Sequence, residues 1–105
     1  MAVLRLNPAF VQRNEALYKL GIIFAKTGHL DEAINFFHNA LLGNTVSISR
    51  KLDILFKITN CHIEKKDYEK AEKTLTLATS IDENNYKAYL YEGWIHYCTK
   101  SYDKA

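Results

Sequence analysis

One short theme is written three times along the chain. "KTGHLDEA" at 26–33, "KKDYEKA" at 65–71 and "TKSYDKA" at 99–105 each pass from a lysine-containing turn to a large apolar residue, an acid and an alanine. The closing alanines, Ala33, Ala71 and Ala105, lie 38 and then 34 residues apart. Upstream, "KLGIIF", "KITNCH" and "YEGWIH" hold matching places, so Gly21, Thr59 and Gly93 share the spacing. A unit of this length that recurs cannot bury an apolar face alone. It must stack on its neighbours, which restricts the chain to helix–turn–helix units packed in series.

The pattern between the turns is helical. Apolar residues recur at intervals of three and four: Leu17, Leu20, Ile23 and Phe24; Ala33, Phe37, Ala40 and Leu41; Leu52, Leu55 and Ile58; Ala71, Leu75 and Ala78. Breaks fall at "KTGH", "GNTVS", "KKD", "DENN" and "TKS". Gly28 and Gly43 supply stops; Asn14, Ser49, Asp67, Asn84 or Asn85, and Ser101 supply N-caps. The expectation is an all-α chain of about five helices, each roughly 12 to 15 residues long, joined by short turns.

The smallest residues stand inside this helix-prone sequence. Gly21 and Ala33 suit points where two helix axes approach within roughly 8 to 10 Å, and Gly28 suits a left-handed reversal between helices. With Leu17, Leu20, Phe24, Phe37 and Ala40 they fit the pattern Trp-x2-Leu-Gly-x2-Tyr, then Ala-x3-Phe. The chain thus resembles the tetratricopeptide repeat (TPR) family. Leu55, Ile58, Ala71, Leu75 and Ala78 continue the match, with Thr59 for glycine and His62 for the aromatic. Tyr89, Gly93 and Ala105 continue it again, although Glu92 replaces leucine and His96 the aromatic.

The resemblance implies a right-handed solenoid of antiparallel helix pairs, cut from a longer array. Residues 1–10 would be the tail of a preceding repeat closed by Pro8, 14–47 and 52–85 full repeats, and 86–105 the start of a third. Cut ends of such an array would expose apolar faces that invite dimerisation.

The 13-residue step from Pro8 to Gly21, the four extra residues around "GNTVSIS" and the stretch "NPAFVQRNEALYKLGIIFAKTGHLDEAINFFHNAL" are similar to one TPR family in particular, that of the fungal Cyc–Tup general transcriptional co-repressor and of animal histone demethylases. This likeness implies a nuclear scaffold that docks DNA-bound repressors or a WD-repeat partner, or else a segment of a larger enzyme or a self-stacking segment. The implied concave groove would carry Tyr18, Ile22, Phe56, Asn60, Lys87, Leu90, Tyr91, Trp94 and Tyr97, with Glu15 and Asp53 at its edge. The packing positions would be Pro8, Leu20, Gly21, Gly28, Ala33, Phe37, Ala40, Ala71, Ala78, Gly93 and Ala105. Tyr18 and Ile22 stand where a carboxylate-clamp chaperone module needs Lys and Asn, which argues against that class.

Little in the chain points to chemistry. Its 105 residues suit one domain, and a net charge of +2 with scattered Lys and Arg lays no stripe for nucleic acid. No 18-residue apolar run marks a membrane helix. Cys61 and Cys98 sit inside helical patterns, as in a reducing compartment. Cys61-His62 and His96-x-Cys98 lack zinc-ligand spacing, since adjacent helical residues point about 100° apart. No phosphate loop or catalytic triad is present. The expectation is a protein-binding module without cofactor, metal, direct nucleic-acid contact or enzymatic activity.

Overall fold

The computed structural model describes residues 8–42 and 46–104, with side chains described within 13–100. Five α-helices are present among them: α1 Pro8–Lys26, α2 Leu30–Leu41, α3 Ile48–Glu64, α4 Tyr68–Ile81 and α5 Tyr86–Lys104. They form two compact units, one ending at Ile54 and the other beginning at Leu55, so α3 contributes to both. Gly43 and Ala105 lie outside the described residues.

In the first unit α2 folds back on α1. Ala33, Phe37 and Ala40, at helical intervals of four and three, are buried. Gly21 is buried too, and a Cβ built there would lie 2.6 to 2.9 Å from three atoms of the Phe37 ring. The missing side chain at Gly21 is therefore the space that the Phe37 ring edge fills.

The turn between α1 and α2 is a Schellman motif. The Gly28 amide donates to Ala25 O at 3.2 Å and the His29 amide to Phe24 O at 2.8 Å, with Gly28 at φ +88°. The Phe24 and His29 rings meet at 5.8 Å, the apolar contact that accompanies such an end. The same bonds close α3: Lys66 N to Ile63 O at 2.9 Å and Asp67 N to His62 O at 2.8 Å. There the left-handed residue is Lys66, at φ 65°. A side chain in that conformation costs about 1 to 2 kcal/mol. Lys66→Gly should therefore stabilise by up to about 1 kcal/mol, and Gly28→Ala should destabilise by about 1 kcal/mol, both measurable by urea denaturation. Equal midpoints for Lys66→Gly and the unmodified chain would show that the turn carries no strain.

In the second unit α4 packs on α5. Ala71, Leu75 and Ala78 face inward from α4, with Ala88 and Ile95 buried on α5. Between 54 and 63, α3 is buried almost all round. Its one fully enclosed hydroxyl, that of Thr59, donates to Leu55 O at 2.9 Å, so the polar atom is satisfied inside its own helix.

Several sequence expectations need correction. α1 begins at Pro8, so Asn14 lies within it and not at its N-cap. Proline lacks the amide that a first helical position does not use, and its fixed φ suits a helix start. Ser47, not Ser49, caps α3, accepting from Arg50 N at 3.2 Å. Asp67 does cap α4 as the sequence predicts, and of Asn84 and Asn85 it is Asn85 that caps α5, through bonds from Lys70 N at 3.4 Å and Lys87 N at 2.9 Å. The third copy of the theme forms no turn: α5 runs unbroken through "TKS" to Lys104. No glycine or proline interrupts it there, and the Thr99 hydroxyl bonds back to His96 O at 3.1 Å, inside the helix. Leu20, expected to pack, is 36% exposed, and a Cβ at Gly93 would meet nothing within 4 Å. The close helix contact found at Gly21 is thus not repeated at Gly93 among the described residues. These helices do not repeat the regular pair unit of a tetratricopeptide solenoid.

Candidate functional site

The expected groove residues fall into two separate arrangements, one in each unit. In the first unit, Tyr18 lies in a polar knot that joins α1 to the opening turns of α3. Its hydroxyl donates to Asp53 Oδ2, and the Arg50 guanidinium sits 4.0 Å above its ring. Arg50 Nη1 also donates to Glu15 Oε1 at 2.5 Å. The Tyr18 ring also meets Phe37 edge-on, at 6.2 Å and 61°. Tyr18 is thereby engaged inside its own unit, while Ile22 is half-buried.

Burial is the largest influence that pushes the Tyr18 phenol up to about 12; its hydrogen bond to Asp53 adds to this, and Arg50 opposes it. The folded state thus holds this proton more tightly than the unfolded chain. The stabilisation is complete below the ordinary phenol value of 10 and is lost as pH rises from 10 through about 12. In an absorbance titration at 295 nm, the Tyr18 phenol should ionise at about pH 12, coincident with alkaline unfolding, and Tyr18→Phe should abolish that step. An unchanged titration curve in Tyr18→Phe would contradict the knot.

In the second unit three aromatic rings stack in series. Phe56 of α3 lies 5.5 Å from Tyr91 of α5 at an interplanar angle of 12°, and Tyr91 lies 6.2 Å from Trp94 at 19°. Phe56 is buried, so it serves as the base of this ladder. Trp94 is 44% exposed, and beside it Leu90 and Tyr97 are 66% and 73% exposed. Lys87 is also exposed. Asn60 donates from Nδ2 to Glu64 Oε2 at 2.9 Å along α3. The ladder thus ends in an aromatic and aliphatic surface on α5, and amphipathic rings of this kind suit protein contact.

Burial, with Glu64 adding to it, pushes the Cys61 thiol up to about 11, which keeps it protonated and a poor nucleophile at neutral pH. Among the described residues, no group of three or more His, Cys, Asp or Glu side chains is placed to hold a metal ion. No helix among them is long and apolar enough to cross a membrane.

Sequence comparison identifies the chain more sharply than the repeat theme does. The family model of the 26S proteasome subunit RPN7 matches residues 7–105. No curated protein and no solved structure matches. This finding overturns the tetratricopeptide assignment, the likeness to the Cyc–Tup co-repressor and to histone demethylases, and the transcriptional role drawn from them. The physical reason is that Leu-Gly-x2-aromatic and Ala-x3-Phe are spacings that let two helices cross closely in many unrelated folds. They mark the Gly21–Phe37 contact, not the family that contains it. The expected nuclear location rested on the co-repressor likeness alone. The match covers everything from Asn7 onward in an all-α chain, and the chain belongs to the family of the 26S proteasome subunit RPN7.

Proposed function

We propose that this chain is a non-catalytic structural subunit of a 26S proteasome-type assembly and acts by contacting other protein subunits. The family match over residues 7–105 carries the reading. The partners expected from sequence, a WD-repeat protein and DNA-bound repressors, give way to neighbouring subunits of that assembly. The exposed end of the ring ladder supports a contact role: Leu90, Trp94 and Tyr97 put aromatic and aliphatic area at the surface of a rigid helix, where ordering them on binding costs little rotamer entropy. Their α5 surface is the part of the expected groove we assign to subunit contact.

Affinity purification of the tagged protein from its own cells, followed by mass spectrometry, tests this reading. Stoichiometric recovery of proteasome subunits is expected, with recovery reduced at least about tenfold by combined Leu90→Ala, Trp94→Ala and Tyr97→Ala substitution, the loss of about 1.4 kcal/mol or more. Absence of proteasome subunits from the unmodified bait would overturn the assembly role. Equal recovery by both baits would remove the α5 surface from it.

A further inference from the structure

A second feature of the second unit faces solvent and has no part in the ring ladder. It is a cleft of about 190 Å³ between α4 and α5. Leu75 and Ile95, both buried, form its floor. Its walls are polar: Glu72, Thr76 and Thr79 from α4, and Glu92 and His96 from α5.

Acceptors dominate those walls, His96 being the one side chain among them that keeps an N–H to donate. The Thr76 hydroxyl donates to Glu72 O at 2.9 Å and the Thr79 hydroxyl to Thr76 O at 2.9 Å. Both hydroxyl protons are therefore spent on the α4 backbone, and what the oxygens retain is acceptor capacity. The Glu72 and Glu92 carboxylates are acceptors only. Neither has an ion-pair partner among the described residues, and no lysine or arginine lines the cleft. The floor is apolar and the walls are anionic, so the complementary guest has an aliphatic stem and a cationic, donor-rich head. A metal ion fits less well, because these side chains do not form a three-ligand group. Arginine fits better than lysine, because five donors in a planar fork can bond to acceptors on two walls at once, whereas an ammonium offers a compact point charge.

We propose that this cleft is a receptor site for an arginine side chain of a partner protein, with the guanidinium held between Glu72 and Glu92. The proposal deepens the subunit-contact reading and rests on it for the identity of the partner, but a small probe tests the cleft by itself. The probe is N-acetyl-arginine amide, titrated into the isotope-labelled chain at pH 7 and followed by amide chemical shifts. N-acetyl-citrulline amide, nearly the same shape without the charge, and N-acetyl-lysine amide are the controls.

Saturating shifts centred on Thr76, Thr79, Glu92 and His96 are expected with the arginine probe. Affinity should fall at least about threefold for the lysine probe, and again about threefold for Glu72→Gln or Glu92→Gln, the scale of an exposed ion pair. Both positions are exposed, so these variants leave the core intact. The proposal is overturned if no saturable shifts appear, if citrulline or lysine probes bind as well as arginine, or if both Gln variants bind unchanged. Each of those failures leaves the proteasome-subunit reading standing, since recovery of proteasome subunits tests that separately.

Discussion

Gly21→Val should destabilise the first unit by about 2 kcal/mol or more. The first carbon of the new side chain would fall 2.6 Å from Phe37 Cε1, well inside contact distance. The neighbour that must yield is an aromatic ring with no exposed area. Overpacking of this kind costs about 1 to 3 kcal/mol, and valine recovers only a few tenths through its better helix propensity than glycine. In a domain of this size the melting temperature should drop by about 10 °C. Gly21→Ala gives a sharper diagnostic. Alanine gains about 1 kcal/mol of propensity against a smaller clash. In a Phe37→Leu background, where the ring edge is gone, Gly21→Ala should become stabilising. A Gly21→Ala effect independent of residue 37 would show that the two side chains do not share this space.

Phe37→Ala should be the costlier change, by about 3 to 5 kcal/mol. Phe37 is fully enclosed and meets the Tyr18 ring as well as the vacancy at Gly21. Its removal leaves a cavity that glycine cannot help to close. It also takes away one wall of the Tyr18 environment, so loss of the phenol's late titration should accompany the loss of stability. Chemical denaturation measures the first effect and the 295 nm titration of a still-folded Phe37→Leu variant the second. A loss below about 1 kcal/mol for Phe37→Ala would mean that α2 is held to α1 by something other than this ring.

What could be read from the sequence followed the chemistry of individual residues. Gly28 signals a left-handed helix end because glycine alone adopts that conformation without cost, and the turn is there. Lys66 closes α3 with the same two bonds but carries no such signal, since nothing in a lysine announces positive φ. The third copy of the theme misled for the converse reason: "TKS" looks like "KKD" on paper, yet it contains no residue that must leave the helix. Ser47 and Ser49 are chemically equal candidates, and only the register of α3 separates them.

The candidate site was less legible because it depends on pairings distant in sequence. Tyr18, Glu15 and Asp53 each suit a groove or its edge by position in the sequence. Their union with Arg50, 35 positions along from Glu15, has no local pattern. Phe56, Tyr91 and Trp94 each suit a groove by position; their stacking, and the burial that makes Phe56 a base, depend on how α5 packs against α3. The acceptor-lined cleft has no signature in the sequence, because Glu72, Thr76 and Thr79 belong to α4 and the opposing wall comes from α5. The features most visible in the sequence do not identify the family. Small residues at close helix crossings report a steric demand shared by many helical proteins, and they carry no information about the partners a surface has evolved to meet.

The most direct test of the subunit reading is site-specific photo-cross-linking from α5 within the intact assembly. A photoreactive residue placed at Tyr97, 73% exposed and outside every packed core described above, reports what lies against that surface. The account predicts a cross-link to a different subunit of the proteasome, weakened when Trp94→Ala is added. Incorporation into the assembly with no cross-link, or with cross-links only to this chain itself, would contradict it.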